Sequence, residues 1–303
     1  MQSIILIIPY FGKWPIWMEL YLDSIKRNET IDFFFITDCD TSLLEEIKNI
    51  SYERTTFEEY IRRYKILLGE DIKIPNAYKI CDLRPFFCLV HEDIIKKYDF
   101  FGWTDVDLFF GSIRSFYTNE ILTKFDVLST HKTRLSGHLA LLRNTENHKT
   151  IGFEIYNWRQ ALQNPEFVGI DEHGITNALQ MTFFDKAAEK LRFSKNNKVL
   201  NVMRKLKTRK HYFVEQYTTP FTPIPWIDGT LNSDQPNEWF YDRGTITNSR
   251  DEGKKFIYLH LMNFKSSTWR ADRTKAPWQD GFDYAVEDFD DTIKIDLKGI
   301  KNL

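Results

Sequence analysis

The segment Ser3-Ile-Ile-Leu-Ile-Ile8 constrains the fold of this chain more than any other feature. Six residues without polar alternation leave no face for water, so the run reads as a strand covered on both sides, at the centre of a parallel sheet. Pro9 and Gly12 end it. Pro15 then occupies a first helical position, Trp17, Leu20, Tyr21 and Ile25 recur at helical spacing, and Phe33-Phe-Phe-Ile-Thr37 follows as a second strand ending at Asp38. This βαβ unit predicts an α/β fold with a mostly parallel central sheet flanked by helices.

Ser42 with Glu45, and Thr56 with Glu59, have capping-box spacing and predict two further helix starts, the second stopping at Gly69. Residues 76–97 read as helical, interrupted by Pro85, which has no N–H to donate. Phe100 to Thr104 is a third strand, Asp126 to Thr130 and His138 to Leu142 are two more, and Thr145 to Gln163 has an amphipathic helical pattern, after which the sheet is expected to end. A Pro-rich stretch with Pro220, Pro223, Pro225 and Pro236 reads as an ordered, irregular loop within a single domain.

The balance of 41 basic against 43 acidic side chains provides no global field for nucleic acid, which is not expected as a partner. Local basic character is concentrated between Lys186 and His211, with ten Lys or Arg and one acid, Glu189. Such a run is ordinarily a solvated helix face, but Val199, Val202, Met203 and Leu206 give it an apolar side, so peripheral contact with an anionic membrane competes with that reading. Cys39, Cys81 and Cys88 contain no Cys-x-x-Cys pair, and no stretch approaches twenty apolar residues. A reducing, cytoplasmic location without a membrane span is expected, with peripheral contact on the inner membrane face through residues 186–211 as the competing idea.

Chemistry is concentrated where Asp105 and Asp107 leave the third strand, in Tyr98-Asp-Phe-Phe-Gly-Trp-Thr-Asp-Val-Asp-Leu-Phe-Phe-Gly111. Carboxylates interrupting an aromatic, core-like run are costly unless paired, and a hard divalent cation pairs them. This stretch resembles the metal motif of GT-A-fold glycosyltransferases, particularly bacterial enzymes that build capsule or lipopolysaccharide. The resemblance implies a GT-A-like nucleotide-diphospho-sugar transferase fold in which Asp105, Asp107 and a distant His bind Mn²⁺ or Mg²⁺, which in turn grips the diphosphate of a UDP-sugar. The matching His is His260, in Phe256-Ile-Tyr-Leu-His-Leu-Met-Asn-Phe-Lys265, with Lys265 for the phosphates. In enzymes of the lipopolysaccharide galactosyltransferase type the two stand one residue farther apart and Pro-Trp follows; here Ser266 to Trp269 replaces that ending.

Tyr78-Lys-Ile-Cys-Asp-Leu-Arg84 resembles the Ser-Asp-x-x-Arg helix of related enzymes, one residue shorter, which makes Asp82 and Arg84 candidates for the donor sugar and a helix-surface ion pair the plainer reading. Tyr10 and Asp38, at strand ends, are candidates for the nucleoside. Leu135-Ser-Gly-His-Leu139 is a candidate lining of the sugar pocket, with Gly137 allowing close approach of the donor. Asp171 and Glu172 are candidate catalytic carboxylates facing the acceptor, a glycan or lipid-linked oligosaccharide; a helix N-cap at Asp171 is the alternative. Inversion with either carboxylate as base, or retention without one, both fit. The resemblance divides the single domain 1–303 into a nucleotide-binding half, 1–110, an acceptor and sugar half, 111–265, and a C-terminal extension, 266–303. Rival readings are a sugar-1-phosphate nucleotidyltransferase, which needs a Gly-rich basic loop after the first strand where only Gly12 and Lys13 stand, and a non-catalytic carbohydrate-binding protein using the eight Trp.

Overall fold

The structure, a computed structural model, describes residues 1–42, 44–180, 198–216, 238–268 and 275–303. The Pro-rich stretch at 220–236, Trp269 and the first part of the basic run lie outside the described residues. Four strands, β1 (Ile4–Tyr10), β2 (Asp32–Thr37), β3 (Ile50–Arg54) and β4 (Phe100–Thr104), pair in parallel in the order β3-β2-β1-β4. β5 (Leu108–Phe110) leaves this sheet, which continues beyond β4 with β7 (Leu139–Arg143), β6 (Val127–Ser129) and β8 (His211–Phe213). β7 runs antiparallel to both its neighbours, and β6 and β8 are parallel to each other.

The apolar run of β1 is explained by its two faces. Ile4, Leu6 and Ile8 enter one core with α1 (Met18–Lys26), while Ile5 and Ile7 enter a second with α2 (Phe57–Leu68), and none of the five is more than 1% exposed. Alternation in direction without alternation in polarity is what a doubly covered strand requires. The capping box of α2 forms as expected, Thr56 Oγ1 accepting from the Glu59 amide and Glu59 from the Thr56 amide, each at 3.2 Å. The one at Ser42 does not: the Ser42 amide donates to Asp40 Oδ1 at 2.9 Å, Glu45 pairs with Lys26 on α1, and no described residue there is helical. An aspartate two residues upstream outcompetes the helix for the same amide.

Residues 77–86 form a 3₁₀ helix, capped by Asn76 and accommodating Pro85, followed by the short helices Phe87–Val90 and Glu92–Ile95. The predicted helix over 145–163 is instead three pieces, Glu146–Lys149, Ile151–Glu154 and Trp158–Gln163, with Asn157 at φ 56° breaking the last from the rest. The sheet does not end there either, because β8 adds beside β6.

A second sheet, unforeseen in the sequence, has the order β10-β9-β13-β14-β12, built from β9 (Glu238–Asp242), β10 (Thr245–Asn248), β12 (Asp283–Ala285), β13 (Ile293–Asp296) and β14 (Gly299–Asn302). Positive φ at both Arg243 and Gly244 closes the β9–β10 hairpin with the twist that strands favour. Trp239, Tyr241, Ile293 and Ile295 join the core that holds α1, so this sheet packs against the β1–α1 part of the chain and draws strands from both sides of residue 265. Finally, β5 pairs antiparallel with β11 (Tyr258–His260).

Candidate functional site

The strand order β3-β2-β1-β4 reverses direction between β1 and β4, and the carboxyl ends of strands flanking such a reversal form the crevice where open α/β sheets take ligands. Asp105 and Asp107 emerge there, directly after β4. β5 then turns back to pair with β11, setting His260 opposite Leu108, and the Leu261 amide donates to the Asp107 carbonyl at 2.9 Å. One carboxylate oxygen from each aspartate and a ring nitrogen of His260 lie within 4.8 Å of one another. Opposite ligands of a small six-coordinate divalent ion are about 4.2 Å apart, so only slight closure is required, and two carboxylates with one imidazole suit Mn²⁺ or Mg²⁺ with positions left for water and phosphate.

Both carboxylates are charge-paired. Lys265 Nζ lies 2.6 Å from Asp107 Oδ2, with His260 Nε2 3.4 Å from the same oxygen. Burial alone would raise Asp107, but Lys265 and His260 hold it well below the usual carboxylate range. Asp105 pairs with Arg84 and is raised by burial against that pull. Arg84 reaches onward with its other nitrogen to Asp171 Oδ2 at 2.8 Å, so one guanidinium links the metal-binding candidate to the acceptor candidate.

Asp171 lies in a single π-helical turn, Ile170–Gly174, entered through Gly169 at φ 78°, a conformation that favours glycine. Burial pushes its carboxyl up to about 7, Arg84 opposing and Glu172 adding to the rise. Its Oδ1 is buried with no hydrogen-bond partner among the described residues. Glu172 accepts from the Gly137 amide at 3.1 Å and from Arg134 Nε at 3.2 Å. A Cβ on Gly137 would stand 2.7 Å from Glu172 Oε1, so the glycine expected to admit the donor instead admits this side chain.

The structure separates Asp82 from Arg84. Asp82 is fully buried, paired with Lys79 Nζ at 2.7 Å and accepting from the Val168, Gly169 and Ile170 amides at 2.8, 2.8 and 2.9 Å. It anchors the segment carrying Asp171, its oxygens being committed to the fold. Asp38, exposed, takes the Gly12 amide at 2.7 Å. Tyr10 donates to the Lys13 carbonyl at 2.8 Å and stacks on Trp14, ring centroids 5.3 Å apart. Both therefore shape the loop after β1; burial raises the Tyr10 hydroxyl, and Lys265 and Asp107 lie within its electrostatic reach.

Sequence reasoning missed the layer behind His260. His138 stacks on it with centroids 4.6 Å apart, its Nε2 shares a 2.6 Å hydrogen bond with the Tyr258 hydroxyl, and Tyr258 donates to Thr130 Oγ1 at 3.0 Å. Burial, with His260 beside it, keeps His138 well below the ordinary histidine range, hence neutral. The signal was a histidine inside an apolar strand start, which by itself carries no direction. Such outer partners commonly fix the orientation of a ligating imidazole.

Solved structures to which the chain shows similarity include the galactosyltransferase LgtC in complex with donor and acceptor sugar analogs (10% identity, TM-score 0.32, covering 73% of this chain and 77% of that one). Others are the glycosyltransferase GlyE of Streptococcus pneumoniae (13%, 0.32, 71% and 55%) and mouse xyloside xylosyltransferase 1 in its apo form (8%, 0.31, 72% and 86%). The chain thus spans 55% of the GlyE chain. No curated protein matches the sequence. Residues 6–289 match the model described as "Family of unknown function (DUF6625)", and the chain belongs to that family.

Proposed function

We propose that this protein is a metal-dependent glycosyltransferase that moves a sugar from a nucleotide diphosphate donor, a UDP-sugar, to a glycan or lipid-linked glycan in the building of a bacterial surface polysaccharide. The observation that carries the reading is the Asp105, Asp107 and His260 cluster at the β1–β4 reversal, with the Lys265 ammonium beside it. Those three residues would hold Mn²⁺ or Mg²⁺, which when bound supplies positive charge to the donor diphosphate. Lys265 adds a second cation where the leaving diphosphate gathers charge, fixed in place before reaction. Arg84 positions Asp171, whose carboxyl, pushed up to about 7, suits a group that accepts a proton from an attacking hydroxyl. Glu172, held by Arg134 and the Gly137 amide, is the neighbouring carboxylate. A nucleotidyltransferase is disfavoured because the loop after β1 has only Gly12 and Lys13 where that chemistry needs a Gly-rich basic loop.

Calorimetry with UDP, with and without Mn²⁺, tests the reading. Wild-type protein is expected to bind UDP with Mn²⁺, and Asp107→Asn to lose at least about tenfold in that affinity, since one of three metal ligands is weakened. Equal UDP affinity with and without the ion, or in the variant, overturns the metal assignment.

We also propose that the helix Lys198–Thr208 rests peripherally on an anionic membrane surface. What supports this is that exposed apolar Val202 and Leu206 lie at i and i+4 among exposed basic Lys205, Lys207 and, just past the helix, Arg209 and Lys210. Among the described residues, no helix is long and apolar enough to cross a membrane.

A further inference from the structure

The Lys79–Asp82 pair lies at the base of an exposed aromatic corner. Tyr78, in the first turn of the 3₁₀ helix, is 57% exposed, and its ring meets Phe167 edge-on at 5.0 Å between centroids. Beneath them the Lys79 ammonium, 1% exposed, donates to Asp82, to the Ala161 carbonyl at 3.0 Å and to the Glu166 carbonyl at 2.6 Å. Asp82 in turn clamps the amides of residues 168–170. A buried charge pair is costly to build, and this one is satisfied on every side and holds two surface rings still. Tyr78 is thus an exposed ring braced by a half-buried Phe167, and three residues per turn put it on the same helix face as Arg84.

We infer that Tyr78 and Phe167 form a stacking platform for a pyranose ring of the acceptor glycan. The inference rests on the glycosyltransferase reading of the neighbouring site. The topology places the platform: Tyr10, Trp14 and Asp38 lie on the β1–β2 side of the cluster, whereas Tyr78 stands on the side of Arg84 and Asp171. A donor whose diphosphate lay beside Lys265 and a cation at Asp105, Asp107 and His260, with its nucleoside toward β1 and β2, would carry its sugar on the Arg84 side, which is the side of Tyr78. The Tyr78 hydroxyl feels that neighbourhood, being pushed up to about 12 by its partial burial and by Cys81, Asp105 and Asp171, with Arg84 opposing. The exposed ring face carries partial negative charge, which complements the polarised C–H face of a pyranose, and exposed Val168 extends the apolar surface beside Phe167.

The test uses the whole chain with Mn²⁺ and UDP, and saturation-transfer NMR with a fixed mixture of lactose and the methyl pyranosides of glucose, galactose and N-acetylglucosamine. Wild type and Tyr78→Phe, which keeps the ring, are expected to give ring-proton signals from at least one sugar. Tyr78→Ala should weaken that sugar about tenfold while UDP affinity stays within about twofold, a surface ring contributing of the order of a stacking contact. Undiminished sugar signal in Tyr78→Ala, or no sugar signal in wild type, overturns the platform. An equal loss of UDP affinity overturns it as well, because the ring would then carry the base. Tyr78-dependent sugar binding in a protein that ignores UDP and Mn²⁺ would uphold the platform and overturn the glycosyltransferase reading alone.

Discussion

His91 is 3% exposed, stacked against Tyr60, with Phe34 and Phe87 meeting it edge-on and its Nε2 3.1 Å from the Tyr60 hydroxyl. Burial, reinforced by Arg63, pushes it down to about 3, so the folded protein keeps it neutral while an unfolded chain protonates near pH 6.5. The unfolded state therefore binds the extra proton across that window, and stability is expected to fall as pH drops from about 6.5 toward 3. Urea titrations from pH 7 to 4 check this: the fall should be shallower in His91→Phe, and a parallel fall in both proteins would remove His91 as a cause. Asp171 acts in the opposite sense, its raised carboxyl favouring the folded state at low pH and losing that advantage as pH rises toward about 7. At this scale the metal-binding candidates were legible because carboxylates in an aromatic run have few other uses. Asp82 and Arg84 were not legible as separate roles, since a helical reading gives them one surface. With three residues per turn, positions i and i+3 eclipse, which pairs Lys79 with Asp82, while i+2 points away and frees Arg84 for Asp105 and Asp171.

β1, β2 and β4 of the main sheet followed from their apolar runs, because strands buried on both faces cannot alternate and announce themselves. β3, with mixed polarity at the sheet's edge, and the short strands of the second sheet give no such signal. Helix starts were half legible: Thr56 and Ser42 carry the same spacing, and only the competing Asp40 side chain tells them apart. The basic helix Lys198–Thr208 lends itself to a direct test at this scale. Replacing Arg204, Lys205, Lys207, Arg209 and Lys210 by Gln should lower co-sedimentation with vesicles of anionic lipid by several powers of ten, at about 1 kcal/mol per charge, and leave UDP affinity unchanged. Wild-type binding should also drop sharply from low to high salt, the attraction being screened within about 8 Å at physiological ionic strength. Binding indifferent to salt would return the helix to solvent.

Across the whole molecule, the second sheet is tied to the site rather than appended to it. Trp278 donates its indole N–H to the Asp296 carbonyl of β13 at 3.0 Å, stacks on Phe264, in the helical turn that carries Lys265, and lies against Trp17, whose indole N–H donates to the Val106 carbonyl between the two aspartates at 3.1 Å. Trp278→Ala is expected to cost about 3–5 kcal/mol of stability and, at temperatures where the variant remains folded, to weaken Mn²⁺-dependent UDP binding; destabilisation with unchanged UDP affinity would show that the contact serves packing alone. The β5–β11 pairing has a consequence for the order of assembly. Asp107 and His260 stand about 150 residues apart, and the two-strand ladder sets His260 beside the aspartates, so closing the cluster means closing a long loop at an entropic cost. A chain still emerging from the ribosome carries both aspartates without the histidine, and acquires a complete cluster only about 150 residues later. Assembly of the candidate metal cluster is thereby made to wait on β11.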